Sequence, residues 1–105
     1  MRLHFILNKG DRVPKKLLAD VEVHFEAHDG PLAGLKLIGV GVWCARKDDK
    51  GVTVLVPSRS YATPKGQRFF ELLRDSEGDG HKRVATFKKF IKAEYLKIVP
   101  APDHD

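Results

Sequence analysis

Cysteine is almost missing from this chain: Cys44 is the only one among 105 residues. An intrachain disulfide and any Cys-rich zinc module are thereby excluded. A lone thiol suits a reducing compartment. Cys44 follows Trp43 in an apolar stretch and reads as a small core residue rather than a nucleophile. Long hydrophobic runs are lacking too. No stretch approaches the roughly 18 apolar residues that a membrane-spanning helix needs. The apolar run within Met1-Arg2-Leu3-His4-Phe5-Ile6-Leu7 is too short for a signal peptide and has no small-residue cleavage site. The expected location is the cytoplasm, with no membrane partner.

Motifs for catalysis are also missing. The glycines spell neither a dinucleotide fingerprint nor a phosphate-binding loop. Ser58 and Ser60 flank Arg59 outside any Gly-x-Ser-x-Gly elbow. The zinc-protease spacing His-Glu-x-x-His is absent, and the zinc-deaminase pattern would need two further cysteines. His24, Glu26 and His28 are the one set worth weighing as metal ligands. On a strand, residues at i, i+2 and i+4 project from the same face, and two histidines with a carboxylate are a known ligand set. Same-face neighbours stand about 7 Å apart, however, given a rise of about 3.3 Å per residue. Without bending, the three do not reach one ion, and the wet side of an amphipathic strand is the preferred reading. The chain is therefore expected to be no enzyme, with no cofactor, no bound metal and no small-molecule substrate.

Charge is what the chain does have. Lys and Arg outnumber Asp and Glu by 19 to 14, a net charge of +5. Such an excess favours polyanionic partners. It is unevenly spread: residues 17–34 hold four acids and no Lys or Arg, whereas residues 35–74 hold eight basic groups against three acids. Hydrophobic residues make up 42% of the chain, too many for a disordered tail. The length fits one domain, residues 1–105, able to bury roughly two-thirds of its unfolded surface around one modest core.

Periodicity gives the elements. Leu3, Phe5 and Leu7 mark a short strand, and Asn8-Lys9-Gly10-Asp11 a turn, with Pro14 keeping the next stretch extended or in loop. Val21, Val23, Phe25 and Ala27 alternate with Glu22, His24, Glu26 and His28 in a half-buried strand over 17–28, ended by Asp29-Gly30-Pro31. Leu35 to Arg46 forms a third strand, with Gly39 and Gly41 marking a bulge or a close backbone approach. The polar loop 47–51 leads into the β-branched run Val52 to Val56, so 35–56 is a hairpin. Residues 57–68 read as a loop with a tight turn at Pro64-Lys65-Gly66, and Phe69 to Arg74, with two adjacent aromatics and two adjacent leucines, as one more strand or a helical turn. Residues 75–80 are irregular. From Lys82 to Ile98 the period becomes helical, with Val84, Phe87, Ile91, Tyr95 and Ile98 on one face and Pro100 and Pro102 beyond. The expected fold class is α+β: an antiparallel β-sheet of four or five strands followed by a C-terminal α-helix.

Two basic groups are the candidate binding residues. Lys82, Lys88, Lys89 and Lys92 share a flank of the helix, beside its apolar stripe. Neighbours three or four apart repel by a few tenths of a kcal/mol per pair, which a bound anion would relieve. On such a flank, reversing the charge of Lys88 and Lys92 together is expected to leave thermal stability unchanged. Arg59, Lys65 and Arg68 form a second group around Tyr61; an aromatic among cations suits base stacking or cation–π contact, and Tyr61 fits a place in the core equally well. The competing reading is a solvated basic face on a protein-interaction or structural module.

The run Gly51-Val52-Thr53-Val54-Leu55-Val56-Pro57-Ser58-Arg59, followed by Thr63-Pro64-Lys65-Gly66, resembles the SpoVG family, small bacterial proteins named for a role in sporulation. Leu35-Lys36-Leu37-Ile38 is similar to that family's preceding strand, and Glu94-Tyr95 to a pair late in its terminal helix. The resemblance spans roughly residues 17–98, its Pro-Ser-Arg segment being the specific part. It implies an antiparallel sheet with a C-terminal helix, a homodimer, and sequence-tolerant binding of DNA or RNA in gene regulation. A short core and the Phe69-Phe70 pair agree with completion by a second copy.

Overall fold

In the computed structural model the described residues are 1–9, 16–45, 51–78 and 82–99. Six strands and one helix succeed one another: β1 (Arg2–Leu7), β2 (Leu17–His24), β3 (Lys36–Cys44), β4 (Val52–Leu55), β5 (Ser58–Thr63), β6 (Gly66–Glu71) and α1 (Lys82–Ile98). β1 to β4 form one sheet in chain order, and β5 and β6 form a second, two-stranded sheet. All the pairings are antiparallel. The α+β architecture expected from periodicity is the one found.

The period-2 pattern sets which face of the main sheet is buried. Leu3, Phe5 and Leu7 stand opposite Val23, Val21 and Ala19, and Val21 in turn stands opposite Val40. Cross-strand partners share a face, so these residues make one apolar surface. Ile91 and Tyr95 of α1 close over it, joined by the half-buried Phe87. Val84, Ile91 and Tyr95 are buried, as the helical stripe requires, whereas Ile98, at the last turn, is 51% exposed. Val99 packs against the core instead.

The helix begins without an acid in its first turn. Asp75 supplies the missing cap from the preceding irregular segment: its Oδ2 accepts the Arg83 N–H at 3.2 Å and its Oδ1 the Val84 N–H at 3.0 Å. A carboxylate there satisfies two orphan donors and complements the positive end of the helix dipole.

Three sequence expectations change. β2 stops at His24 rather than reaching residue 28, and Ala27–Leu32 form a 3-10 segment. The apolar alternation continues through Ala27, but the Asp29 carboxylate accepts the Glu26 N–H at 2.6 Å and turns the chain. Residues 58–63, expected as loop, are strand β5, and the last strand is Gly66–Glu71 rather than Phe69 to Arg74. The Thr63-Pro64-Lys65-Gly66 turn joins them, with Gly66 at φ +113° and the Thr63 hydroxyl donating to the Gly66 carbonyl at 2.7 Å. The turn at Gly10-Asp11, Pro14, the loop at 47–50, the end of the acidic segment and the terminal prolines lie outside the described residues.

Gly39 fulfils both roles that a strand glycine suggests. Val21 pairs with Val40 but Val23 pairs with Leu37, so β3 holds one extra residue between them. Gly39 takes φ +96° in that bulge, and a Cβ on it would come within 3.1 Å of Pro57 Cγ. Gly39→Ala should destabilise the fold by about 1–3 kcal/mol. Urea denaturation checks this through a lowered midpoint at unchanged slope.

Candidate nucleic-acid interface

β4 is the last strand of the main sheet, so one of its edges carries no ladder partner among the described residues. α1 packs beside it, and the flank of α1 that turns outward there carries Lys88, Lys89 and Lys92. With Val52, Thr53, Val54 and Leu55 these lysines line a shallow groove of about 230 Å³. Cations over an open sheet edge discourage pairing with another chain, and they also present ammonium groups where an anion could lie.

The three lysines are not equivalent. Lys88 Nζ donates to Glu71 Oε2 at 2.7 Å, and both side chains are half-buried. Its charge is thus balanced by the final residue of β6. Lys89 and Lys92 are exposed and have no ion pair among the described residues. Lys82 opens the helix and lies outside the groove, about 10 Å along the axis from Lys89 at a rise of 1.5 Å per residue. The expectation that charge reversal at Lys88 leaves stability untouched is therefore corrected, because a glutamate there would face Glu71 across the same gap.

The second group is arranged by the β5–β6 hairpin. Its register sets Arg59 opposite Phe70 and Tyr61 opposite Arg68. Arg59, Tyr61, Arg68 and Phe70 therefore share a face on which cations and rings alternate. Tyr61 and Phe70 meet edge to face with centroids 5.4 Å apart. Glu71, the only acid in residues 58–71, belongs to the other face with Ser58 and Phe69. Lys65 sits in the turn at the tip, its N–H donating to the Thr63 hydroxyl at 3.2 Å. The hairpin bonds to no strand of the main sheet, and the Leu72 N–H closes its root on the Pro57 carbonyl at 2.8 Å. Sequence reading found the three cations but not the Phe70 ring beside them. The signal was there, since Arg59, Tyr61 and Thr63 alternate before the turn as Arg68 and Phe70 do after it.

The histidine constellation is not assembled. His24 points from the sheet to Glu22, its Nε2 at 2.9 Å from Glu22 Oε1, and meets the His4 ring edge to face at 6.3 Å. Glu26 and His28 lie instead in and beside the 3-10 segment, each 3.0 Å from the N-terminal ammonium. Among the described residues, no group of three or more His, Cys, Asp or Glu is placed to hold a metal ion. No described helix is long and apolar enough to cross a membrane. No family model, no curated protein and no solved structure matches the chain.

The acids of the main sheet are engaged locally. Hydrogen bonds from His24 and then Lys36 hold the Glu22 carboxyl below the ordinary carboxylate range. A carboxyl lowered in the folded state adds stability above its unfolded pKa of about 4.3, and that contribution is lost as pH falls through the folded value. Thermal melts from pH 6 down to pH 3 should show less acid destabilisation for Glu22→Gln than for the wild type, and an unchanged pH profile would contradict the assignment.

Proposed function

We propose that this chain is a small, non-catalytic regulatory protein of the SpoVG kind. In this reading it works in the cytoplasm as a homodimer and binds DNA or RNA with little sequence preference. The observation that carries the reading is how cations are distributed between partners. Lys36, Lys88 and Lys97 are each held by a carboxylate. Arg59, Lys65, Arg68, Lys82, Lys89 and Lys92 are exposed and have no ion pair among the described residues. Arg2, Lys9, Lys16, Arg74 and Arg83 are likewise exposed without an ion pair among the described residues, but the six named first gather on two surfaces, the hairpin and the helix, which meet where Lys88 grips Glu71. Phosphate contacts from such groups position a nucleic acid without reading its bases. Among the described residues the single α-helix, α1, packs one face on the sheet and is not joined to a second helix as in a helix-turn-helix recognition module.

The SpoVG resemblance lends the same support from the residues alone, with its Pro57-Ser58-Arg59 segment at the point where β4 hands over to the hairpin. The dimer is supported by apolar groups that one copy leaves uncovered. Phe69 is 70% exposed and Ile38 63%, with Leu72 and Leu55 also open to solvent. The same residues favour a protein-interaction module as the second reading, if the partner that covers them is a different chain.

Fluorescence anisotropy against oligonucleotides at two salt concentrations tests the main reading. The logarithm of the affinity should fall with the logarithm of salt at about −0.7 to −0.9 per phosphate neutralised. Lys89→Glu combined with Lys92→Glu should weaken binding about tenfold or more, close to 1.4 kcal/mol. The helix should survive, since glutamate is a good helix former. Unaltered affinity in a folded variant would remove the helix flank from the interface. Sedimentation at micromolar concentration should show a dimer; a lone 11.8 kDa species would refute that part.

A further inference from the structure

The hairpin face has a feature that phosphate binding alone does not use. Phosphates need cations, and Arg59, Lys65 and Arg68 supply them. Tyr61 and Phe70 offer something else: ring surface, 46% and 39% exposed, on the one hairpin face that carries no acid. Exposed rings on an unsupported hairpin are costly in water, at roughly 25 cal/mol per Å² of apolar surface. Phe90 of α1 is 41% exposed too, but it has no ring contact among the described residues. Phe5 and Tyr95 pack together at 6.0 Å within or against the core. Tyr61 and Phe70 pack on each other across the hairpin, away from it.

We infer that the Arg59–Tyr61–Arg68–Phe70 face is a stacking platform for unpaired bases, so that the preferred ligand is single-stranded nucleic acid. The inference rests on the nucleic-acid reading above and specifies its substrate class. In a duplex, each base face is covered by its neighbours, and a side chain on a flat hairpin meets only phosphates and groove edges. In a single strand the base faces are free, and an aromatic side chain covers one whatever its identity. The two rings meet at an interplanar angle of 62°. A base lying flat on one therefore meets the edge of the other, which suits one stacked base at this point rather than a continuous run. Arg59 lies across from Phe70 and Arg68 across from Tyr61. Each ring accordingly has a guanidinium next to it for the phosphate of the base it covers. Neither the rings nor the cations read base edges, so the platform is tolerant of sequence.

Anisotropy titrations with an unstructured single strand and its matched duplex decide the matter. The wild type should bind the single strand more tightly. Tyr61→Ala should lower single-strand affinity roughly 5- to 150-fold, corresponding to about 1–3 kcal/mol per stacked base. The loss on duplex should be much smaller, so that the preference collapses. Tyr61→Phe should restore the preference, because stacking needs the ring and not the hydroxyl. In the wild-type protein, photocrosslinking to a single strand carrying 5-iodouracil should map to Tyr61 or Phe70, a readout independent of how the variants fold. Crosslinks confined to α1 would overturn the platform. So would equal losses on both ligands, or a wild-type preference for duplex. If Tyr61→Ala changes nothing while Lys89→Glu with Lys92→Glu weakens both ligands, the platform fails and the broader reading stands. Absence of binding to either oligonucleotide would overturn both.

Discussion

Six valines, two each from β2, β3 and β4, make the wall against which α1 is fixed. Val21, Val23, Val40, Val42, Val52 and Val54 are all buried, and Ile91, with no exposed surface, inserts among them beside Tyr95. β-branched side chains are stiff and suit a pleated surface. Truncating a fully buried Ile to Ala in such a core typically costs about 2–5 kcal/mol. This contact decides more than stability. It sets the rotation of α1 about its axis, and that rotation determines where every other side chain of the helix points. With Ile91 and Tyr95 directed inward, Lys88, Lys89 and Lys92 come to rest over the open edge of β4. The basic flank is thus a consequence of how the apolar stripe is buried.

That chain of dependence explains what the sequence disclosed. The helix over 82–98 was legible because its apolar residues recur with the helical period and its lysines fall between them. The alternation in β1 and β2 was legible for the equivalent reason at period 2. The hairpin was not. Ser58-Arg59-Ser60 has no apolar member to mark a face, and the strands bury too little on the core to need one. Their pairing rests on main-chain hydrogen bonds and on a tight turn, so the alternation of Arg59, Tyr61 and Thr63 with Arg68 and Phe70 becomes readable only once that turn is taken as the end of a hairpin. The end of β2 was hidden for the opposite reason. Ala27 continues the pattern by composition, while a single hydrogen bond from the Glu26 N–H to Asp29 bends the backbone. Among the site residues, charge and spacing revealed the lysines. They did not reveal the bond between Lys88 and Glu71, 17 positions apart, which only the tertiary fold creates.

The acids are as informative as the cations. The run 17–34 carries four acids and no Lys or Arg. Two of them, Glu26 and Asp29, surround the N-terminal ammonium at 3.0 Å, and Glu22 is shared by His24 and Lys36. These acids satisfy local cations at the β1–β2 end of the sheet. Among the described residues, Glu71 alone forms an ion pair on the helix flank, where it holds Lys88. Of the eleven exposed cations without an ion pair among the described residues, Arg59, Lys65, Arg68, Lys82, Arg83, Lys89 and Lys92 lie on the hairpin or α1, while Arg2, Lys9, Lys16 and Arg74 lie elsewhere. Attraction between those surfaces and a polyanion is then weakly offset within the protein itself, the condition under which long-range steering works best.

The Lys88–Glu71 bond also governs how the two basic surfaces relate. The hairpin shares no ladder with the main sheet, so its orientation depends on its root. There the Leu72 N–H meets the Pro57 carbonyl, Pro57 abuts the bulge at Gly39, and Glu71 meets Lys88. A part-exposed ion pair of this kind contributes about 0–1 kcal/mol and weakens with salt. It is strong enough to bias the hairpin toward the helix flank and too weak to lock it there. A bound strand bridging the two surfaces would add its own contacts to a geometry already favoured, lowering the ordering cost of association. One lysine of the flank is thus used to position the hairpin, while Lys89 and Lys92 stay exposed with no ion pair among the described residues.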